Sequence, residues 1–200
     1  MSGHRTRHCR HRTHGRRPDM PPHPEAPPSV RPPLTIVPAT PAHAAALAVL
    51  HEACFAGQPW HRPWRTTEMG QVLALPGAMG WIALAPPDPG ATVSDGIATD
   101  HPVGMLLVQT SGLDADILTL GVRPDRWRRR GIARTVLAHG EDVLRRHGVE
   151  RIFLEVALDN RAAVAFYTNA GYNVLGRRSG YYSTISGETF DAATMGRTLV

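Results

Sequence analysis

The run Ile152-Phe153-Leu154-Glu155-Val156-Ala157-Leu158 constrains this chain more than any other: it reads as a buried strand with one carboxylate in its middle. A carboxylate there must be paired with a cation, lie at an opening in the sheet, or cost several kcal/mol of burial, roughly the scale of a misfolding penalty. Asp159-Asn160-Arg161 turns out of the strand, with Asn160 suited to an N-cap, and a helix over about 161–169 ends at Gly171.

The other elements arrange themselves around that strand. Leu34–Val37 reads as a short strand, and Thr40-Pro41 as the start of a helix to about 55 that carries Leu47, Leu50 and Cys54 at helical spacing. The cluster 59–64 breaks it, and Thr66-Thr67-Glu68 starts a shorter helix that ends before Pro76-Gly77. Met79–Ala85 and Val103–Thr110 are neighbouring antiparallel strands, joined by a loop at 86–101 that is either a plain connection or part of a binding wall. Asp116–Val122 is a third strand, leading into a helix with Ile132, Val136, Val143 and Leu144 on one side and a stop at His147-Gly148. Two last strands, about 172–178 and 190–199, flank a polar link from Tyr181 to Glu188. This order predicts a mixed α/β domain over 35–200 with a largely antiparallel first half.

Charge separates that domain from what precedes it. All 22 basic residues are arginine, and residues 1–34 hold seven of them against Asp19 and Glu25, while 35–200 is balanced at 15 of each sign. The folded part is therefore not expected to grip nucleic acid over a wide surface. Residues 1–34, Arg/His-rich and then carrying eight prolines over 18–33, are expected to be disordered. That tail has two readings: weak contact with RNA or the ribosome through plain charge, or translation from an upstream start with Met20 as the true one. His4, His8, Cys9, His11 and His14 are spaced too irregularly to predict a metal site. Cys9 and Cys54 make neither a disulfide framework nor a zinc site, and no apolar run is long enough for a membrane span or a secretory signal. A cytoplasmic protein, monomeric or weakly dimeric, with no membrane partner is expected.

The stretch Arg128-Arg129-Arg130-Gly131-Ile132-Ala133, between an apolar strand and an amphipathic helix, has a direct physical use. Unpaired N–H groups at a helix N-terminus, aided by the helix dipole, can cradle a pyrophosphate, and small residues at 131 and 133 let it approach the backbone. It is neither a dinucleotide-binding glycine array nor a P-loop. On its own an Arg run at a helix start is as often a solvated face. Glu155, Asn160 and Tyr167 likewise each have an ordinary reading, as a paired surface carboxylate, a turn residue and an amphipathic core tyrosine.

Taken together, Arg128-x-x-Gly131-x-Ala133, Leu154-Glu155-Val156, Asn160-x-Ala162-Ala163, Phe166-Tyr167, Ala170-Gly171-Tyr172 and Arg177-Arg178-Ser179-Gly180-Tyr181-Tyr182 with Asp191-Ala192 and Met195 resemble the GCN5-related N-acetyltransferase (GNAT) superfamily. Within it, the Glu/Tyr pair twelve apart, the Arg-Arg-x-x-Tyr-Tyr stretch and Pro63-Trp64 resemble the RimI-type enzymes, which acetylate the N-terminal alanine of a ribosomal protein. The resemblance implies an α/β GNAT fold, a mixed, mostly antiparallel twisted sheet of about six to seven strands flanked by four helices. It implies acetyl-CoA as co-substrate and no metal. Leu120, Gly121 and Val122 would run beside the pantetheine arm, Arg128, Arg129, Arg130, Gly131, Ile132 and Ala133 would hold the pyrophosphate, and Asn160 would hydrogen-bond the cofactor. Glu155 resembles the family's proton acceptor and Tyr167 its proton donor, acting on the N-terminus of a ribosomal protein as acceptor partner. A small-molecule amine or a lysine side chain as acceptor keeps the same chemistry. A non-catalytic acetyl-CoA-binding protein docked on the ribosome by its tail is the alternative of a different class.

Overall fold

The computed structural model describes residues 33–86, 100–184 and 186–200. The tail expected at 1–34 and the loop expected at 86–101 lie, except at their edges, outside the described residues.

Among the described residues seven strands form one sheet in the order β1-β2-β3-β4-β5-β7-β6. They are β1 (Thr35–Pro38), β2 (Ala78–Ala85), β3 (His101–Ser111), β4 (Asp114–Val122), β5 (Arg151–Ala157), β6 (Asn173–Ser183) and β7 (Thr189–Thr198). The same residues form four α-helices: α1 (Ala44–Phe55), α2 (Thr66–Leu73), α3 (Ile132–Arg146) and α4 (Arg161–Asn169). Every neighbouring pair runs antiparallel except β4 and β5, which are parallel and joined through α3. This is the element order read from the sequence, with three local differences. Residues 41–43 form a 3-10 turn before α1, where the Thr40 N–H donates to His43 Nδ1 at 3.0 Å. The buried face of α3 is Ile132, Val136, Leu137, Gly140, Glu141 and Leu144, with Val143 only partly covered. β6 does not stop near 178 but runs on to Ser183, so Tyr181 and Tyr182 belong to a strand rather than to the polar link. A register shift between Arg178 and Tyr182, with Gly180 at φ 61 and its N–H donating to Asp191 Oδ1 at 2.8 Å, carries the strand past residues that read as a break.

Alternation along the strands divides the core between the two faces of the sheet. Trp81 and Ala83 face α3, where Ile132, Val136, Leu137 and Leu144 join them, while Ile82 faces α1 with Leu47, Leu50 and Cys54. Glu141 is buried at 6% exposure because it is fully answered: Tyr172 donates to Oε1 at 2.8 Å and Arg197 to Oε2 at 2.9 Å. Among the described residues no helix is long and apolar enough to cross a membrane.

The feature that positions the site is where β4 and β5 part. Their pairing runs from Asp114↔Arg151 only to Ile117↔Leu154, and at that level Leu118 is an extra residue between Ile117 and Thr119 in the register with β3. Beyond it β4 follows β3 to Val122, while β5 follows β7 to Ala157. The sheet therefore opens into a wedge in its middle, with Glu155 on one lip.

Candidate active site

Two cavities meet at that wedge. One, of about 740 Å³, is lined by Asp116 to Leu120 of β4, Phe153 to Ala157 of β5, His61 and Trp64 from the segment between α1 and α2, and Tyr181 and Tyr182 of β6. The other, of about 670 Å³, is lined by Cys54, by Gly121 and Val122, and by the basic loop Arg128–Arg134. Phe55, Gln58, Leu120, Asn160, Ala163 and Tyr167 line both, so they form the shared wall.

The basic loop is built for close backbone approach. Trp127 is sunk into the core at 7% exposure with the Arg126 guanidinium 4.6 Å over its ring, which fixes the entry to the loop. Arg129 at φ 59 is the one non-glycine residue with positive φ among the described residues, and Gly131, the N-cap of α3, stands at φ 80. Left-handed backbone at two nearly adjacent positions, with no side chain among the described residues capping the helix, leaves the first N–H groups of α3 facing the cleft. Arg129 and Arg130 are exposed beside it, while Arg128 gives one donor to the Cys54 carbonyl at 3.3 Å. Burial pushes the Cys54 thiol up to about 12, so it stays protonated and inert. Gly121 sits against the end of α1 so closely that a Cβ there would stand 2.9 Å from Cys54 Sγ.

Of the three situations open to Glu155, the structure combines the first two. The side chain lies at the wedge, 25% exposed, and Oε1 is engaged by Arg178 Nη1. Hydrogen bonding to Glu155 raises the Tyr181 phenol, and the Tyr182 hydroxyl donates to the Glu155 carbonyl at 3.4 Å. Tyr167 projects from α4 into the shared wall at 7% exposure, and burial, with Tyr182 beside it, holds its phenol well above the usual range. Asn160 caps α4, its Oδ1 accepting from the Ala163 N–H at 3.2 Å, which leaves its amide N–H groups for the cavities. Every residue expected from the sequence to act on the reaction or the cofactor thus lines one or both cavities: Glu155 the first, Gly121, Val122 and Arg128–Ala133 the second, and Leu120, Asn160 and Tyr167 both.

Sequence reasoning passed over three features of the first cavity. Asp116 has its carboxyl raised by desolvation and by the charges of Asp114 and Glu155, and it makes no ion pair among the described residues. Thr119 is 6% exposed, and its Oγ1 has no hydrogen-bond partner among them. His51, fully buried on α1, accepts from the Trp64 N–H at its Nδ1 and meets His61 at its Nε2, both at 3.2 Å. A polar residue at the β4 divergence was a usable signal for Thr119; for the histidines, ten residues apart, only the return of the α1–α2 segment brings them together.

Strands splayed at the centre of a mixed sheet, with an arginine-rich helix N-terminus on one side and a carboxylate on the other, define a class of group-transferring site. A family model described as the acetyltransferase (GNAT) family matches residues 49–172, and the chain belongs to that family. It is 36% identical over 90 residues to the [Ribosomal protein bS18]-alanine N-acetyltransferase of Salmonella typhimurium, covering 45% of this chain and 60% of that protein. It is 40% identical over 91 residues to the N-alpha-acetyltransferase RimI of Mycobacterium tuberculosis, covering 46% and 53%. The chain thus spans little more than half the length of these curated relatives. In fold it is similar to the ribosomal-protein-S18-alanine N-acetyltransferase of Escherichia coli, with a TM-score of 0.66 at 23% identity over 83% of this chain and 94% of that one. Arabidopsis thaliana NAA60 in complex with acetyl-CoA gives a TM-score of 0.66 at 19% identity, covering 83% and 98%.

Proposed function

We propose that this protein transfers an acetyl group from acetyl-CoA to the α-amine of a protein N-terminus, with the N-terminal alanine of a small-subunit ribosomal protein as the favoured acceptor. The observation that carries the reading is the shared wall: a basic, backbone-lined cleft and a carboxylate-bearing cavity meet at Leu120, Asn160 and Tyr167. That a relative of the chain is a [Ribosomal protein bS18]-alanine N-acetyltransferase supports the acceptor class.

The residues of the basic cleft fit an acyl-CoA. The N-terminus of α3, opened by Arg129 and Gly131, suits a pyrophosphate, with Arg129 and Arg130 adding charge. Leu120, Gly121 and Val122 have no β5 partner at their level, so their outward backbone groups are available to an extended pantetheine arm. Bound there, acetyl-CoA supplies an acetyl group already activated as a thioester.

An N-terminal amine has a reference pKa near 8 and arrives mostly as ammonium. Glu155 takes its proton, directly or through a water, using Oε2 while Arg178 holds Oε1 and fixes the carboxylate plane. The Val122 N–H, unpaired toward β5, stabilises the oxygen on which negative charge develops. Tyr167, kept as a phenol by its burial, donates to the departing sulfur. A phenol raised that far gives its hydrogen bond first and its proton only as the thiolate leaves. Direct attack of the amine on the thioester requires no covalent enzyme intermediate, and Cys54, buried and protonated, is unsuited to form one.

Mass spectrometry of peptides incubated with protein and acetyl-CoA tests the acceptor class. A peptide beginning Ala-Arg should gain one acetyl group at its free N-terminus, and the same peptide N-terminally blocked with an internal lysine should gain none. Lysine modification alone moves the function to side-chain amines. No modification of either peptide while acetyl-CoA binds leaves a small-molecule acceptor or a non-catalytic role, and in the last case removal of residues 1–34 should matter more than Glu155→Gln or Tyr167→Phe.

A further inference from the structure

We infer that His61 holds a fixed N–H donor toward the acceptor cavity and uses it to grip a backbone carbonyl of the acceptor, selecting peptidyl amines over simple amines. The inference rests on the reading of the first cavity as the acceptor site.

Its basis is a hydrogen-bond chain whose direction is forced at one end. The Trp64 backbone N–H, which can only donate, points at His51 Nδ1 at 3.2 Å, so Nδ1 must carry a lone pair. His51 is fully buried, which holds it down at about 4 and therefore neutral. A neutral imidazole with a bare Nδ1 carries its hydrogen on Nε2, and that atom lies 3.2 Å from Nε2 of His61. His61 Nε2 is thereby the acceptor. His61 is itself held below the usual range, by burial and by Arg62, so it is neutral and its one hydrogen sits on Nδ1.

That Nδ1–H has no partner among the described residues, and His61 lines the cavity that holds Glu155. Both rings are fixed: Trp64 stacks on His51 with centroids 4.9 Å apart and planes 16° apart, and Phe55 packs on His61 at 4.3 Å. What remains is a neutral, pre-oriented donor, which does not repel an incoming ammonium and seeks an oxygen lone pair. A polyamine offers none, because its nitrogens are protonated at neutral pH. The first residue of a peptide offers its carbonyl two bonds from the reacting amine. The donor therefore distinguishes the two acceptor classes by chemistry rather than size.

Two measurements test this. Side-chain ¹⁵N–¹H correlation spectra of the wild-type protein at pH 7 should show the hydrogen on Nδ1 of His61 and on Nε2 of His51; a hydrogen on Nε2 of His61 overturns the inference. Steady-state kinetics with the Ala-Arg peptide should show KM for the peptide raised about tenfold in His61→Phe, which keeps the ring packing and loses the donor, with kcat and the acetyl-CoA KM within about twofold. His61→Asn, whose amide N–H falls near the Nδ1 position, should stay within about threefold of wild type. An unmoved peptide KM in His61→Phe, in protein that acetylates the peptide normally, overturns the inference and leaves the proposed function standing. A wild type that acetylates spermidine and not the peptide overturns both.

Discussion

Replacing Gly121 with alanine tests how tightly the wedge is held open. The added Cβ would stand 2.9 Å from Sγ and 3.0 Å from Cβ of Cys54, and 3.3 Å from Cε2 of Phe55. None of these is the free end of a flexible chain, and α1 cannot simply withdraw: Leu47 and Leu50 are buried beneath it and Arg128 bonds the Cys54 carbonyl. Overpacking of this kind costs about 1–3 kcal/mol, so Gly121→Ala should lose about 2 kcal/mol in urea unfolding with an unchanged m-value. Cys54→Ala removes the nearest atom and leaves the Cβ contact, so relief should be partial. The double variant should be more stable than the sum of the two single losses by about 1 kcal/mol. Because Gly121, Cys54 and Phe55 all line the basic cleft, Gly121→Ala should also weaken acetyl-CoA binding measured by calorimetry. Additive losses, or a neutral Gly121→Ala, would refute the claim that α1 rests directly on β4.

Other consequences can be measured in the same way. His51 titrates at about 4 when folded against 6.5 for an ordinary histidine, so between those values the unfolded chain binds a proton that the folded one refuses. Its contribution is present above about pH 6.5 and is lost as pH falls toward 4, by about 3 kcal/mol in all, with His61 acting in the same direction. Urea midpoints at pH 7 and 4.5 should therefore converge in His51→Phe relative to wild type, and equal acid losses in both would contradict the assignment. Thr119→Val deletes a buried hydroxyl that has no partner among the described residues, at nearly constant volume, and should raise stability by about 1 kcal/mol; a lower Tm would show the hydroxyl to be satisfied. Tyr172→Phe leaves Glu141 with Arg197 alone and should cost about 2 kcal/mol in urea unfolding, a loss under about 0.5 kcal/mol counting against the buried network.

The strands and helices were legible because their signals are local. Ile152–Leu158 announces a buried strand, Asn160 a helix start, and Gly131 and Gly148 the ends of α3, each within a few residues. The reading failed where the cause was long-range. β6 continues through Tyr181 and Tyr182 because Gly180 at φ 61 and Asp191 across the hairpin absorb a register shift, which Ser179-Gly180 alone reads as a break. Glu155 and Tyr167, twelve apart on consecutive elements, could be paired from the sequence, whereas Arg178 meets Glu155 across β7 from 23 residues away. The His51–His61 chain is the extreme case. A histidine in the apolar row of α1 reads as core, and only the folded-back segment before α2 supplies the Trp64 N–H that fixes its tautomer.

The central claim is that Glu155 and Tyr167 act on reactants brought together at the shared wall, and single-turnover acetyl transfer to an Ala-Arg peptide tests it most directly. Glu155→Gln keeps the shape of the side chain and removes the proton acceptor, so the rate should fall at least about 100-fold while the acetyl-CoA Kd stays within about twofold. Tyr167→Phe should slow the same step with binding equally preserved. A Glu155→Gln protein that transfers acetyl at the wild-type rate would contradict the account.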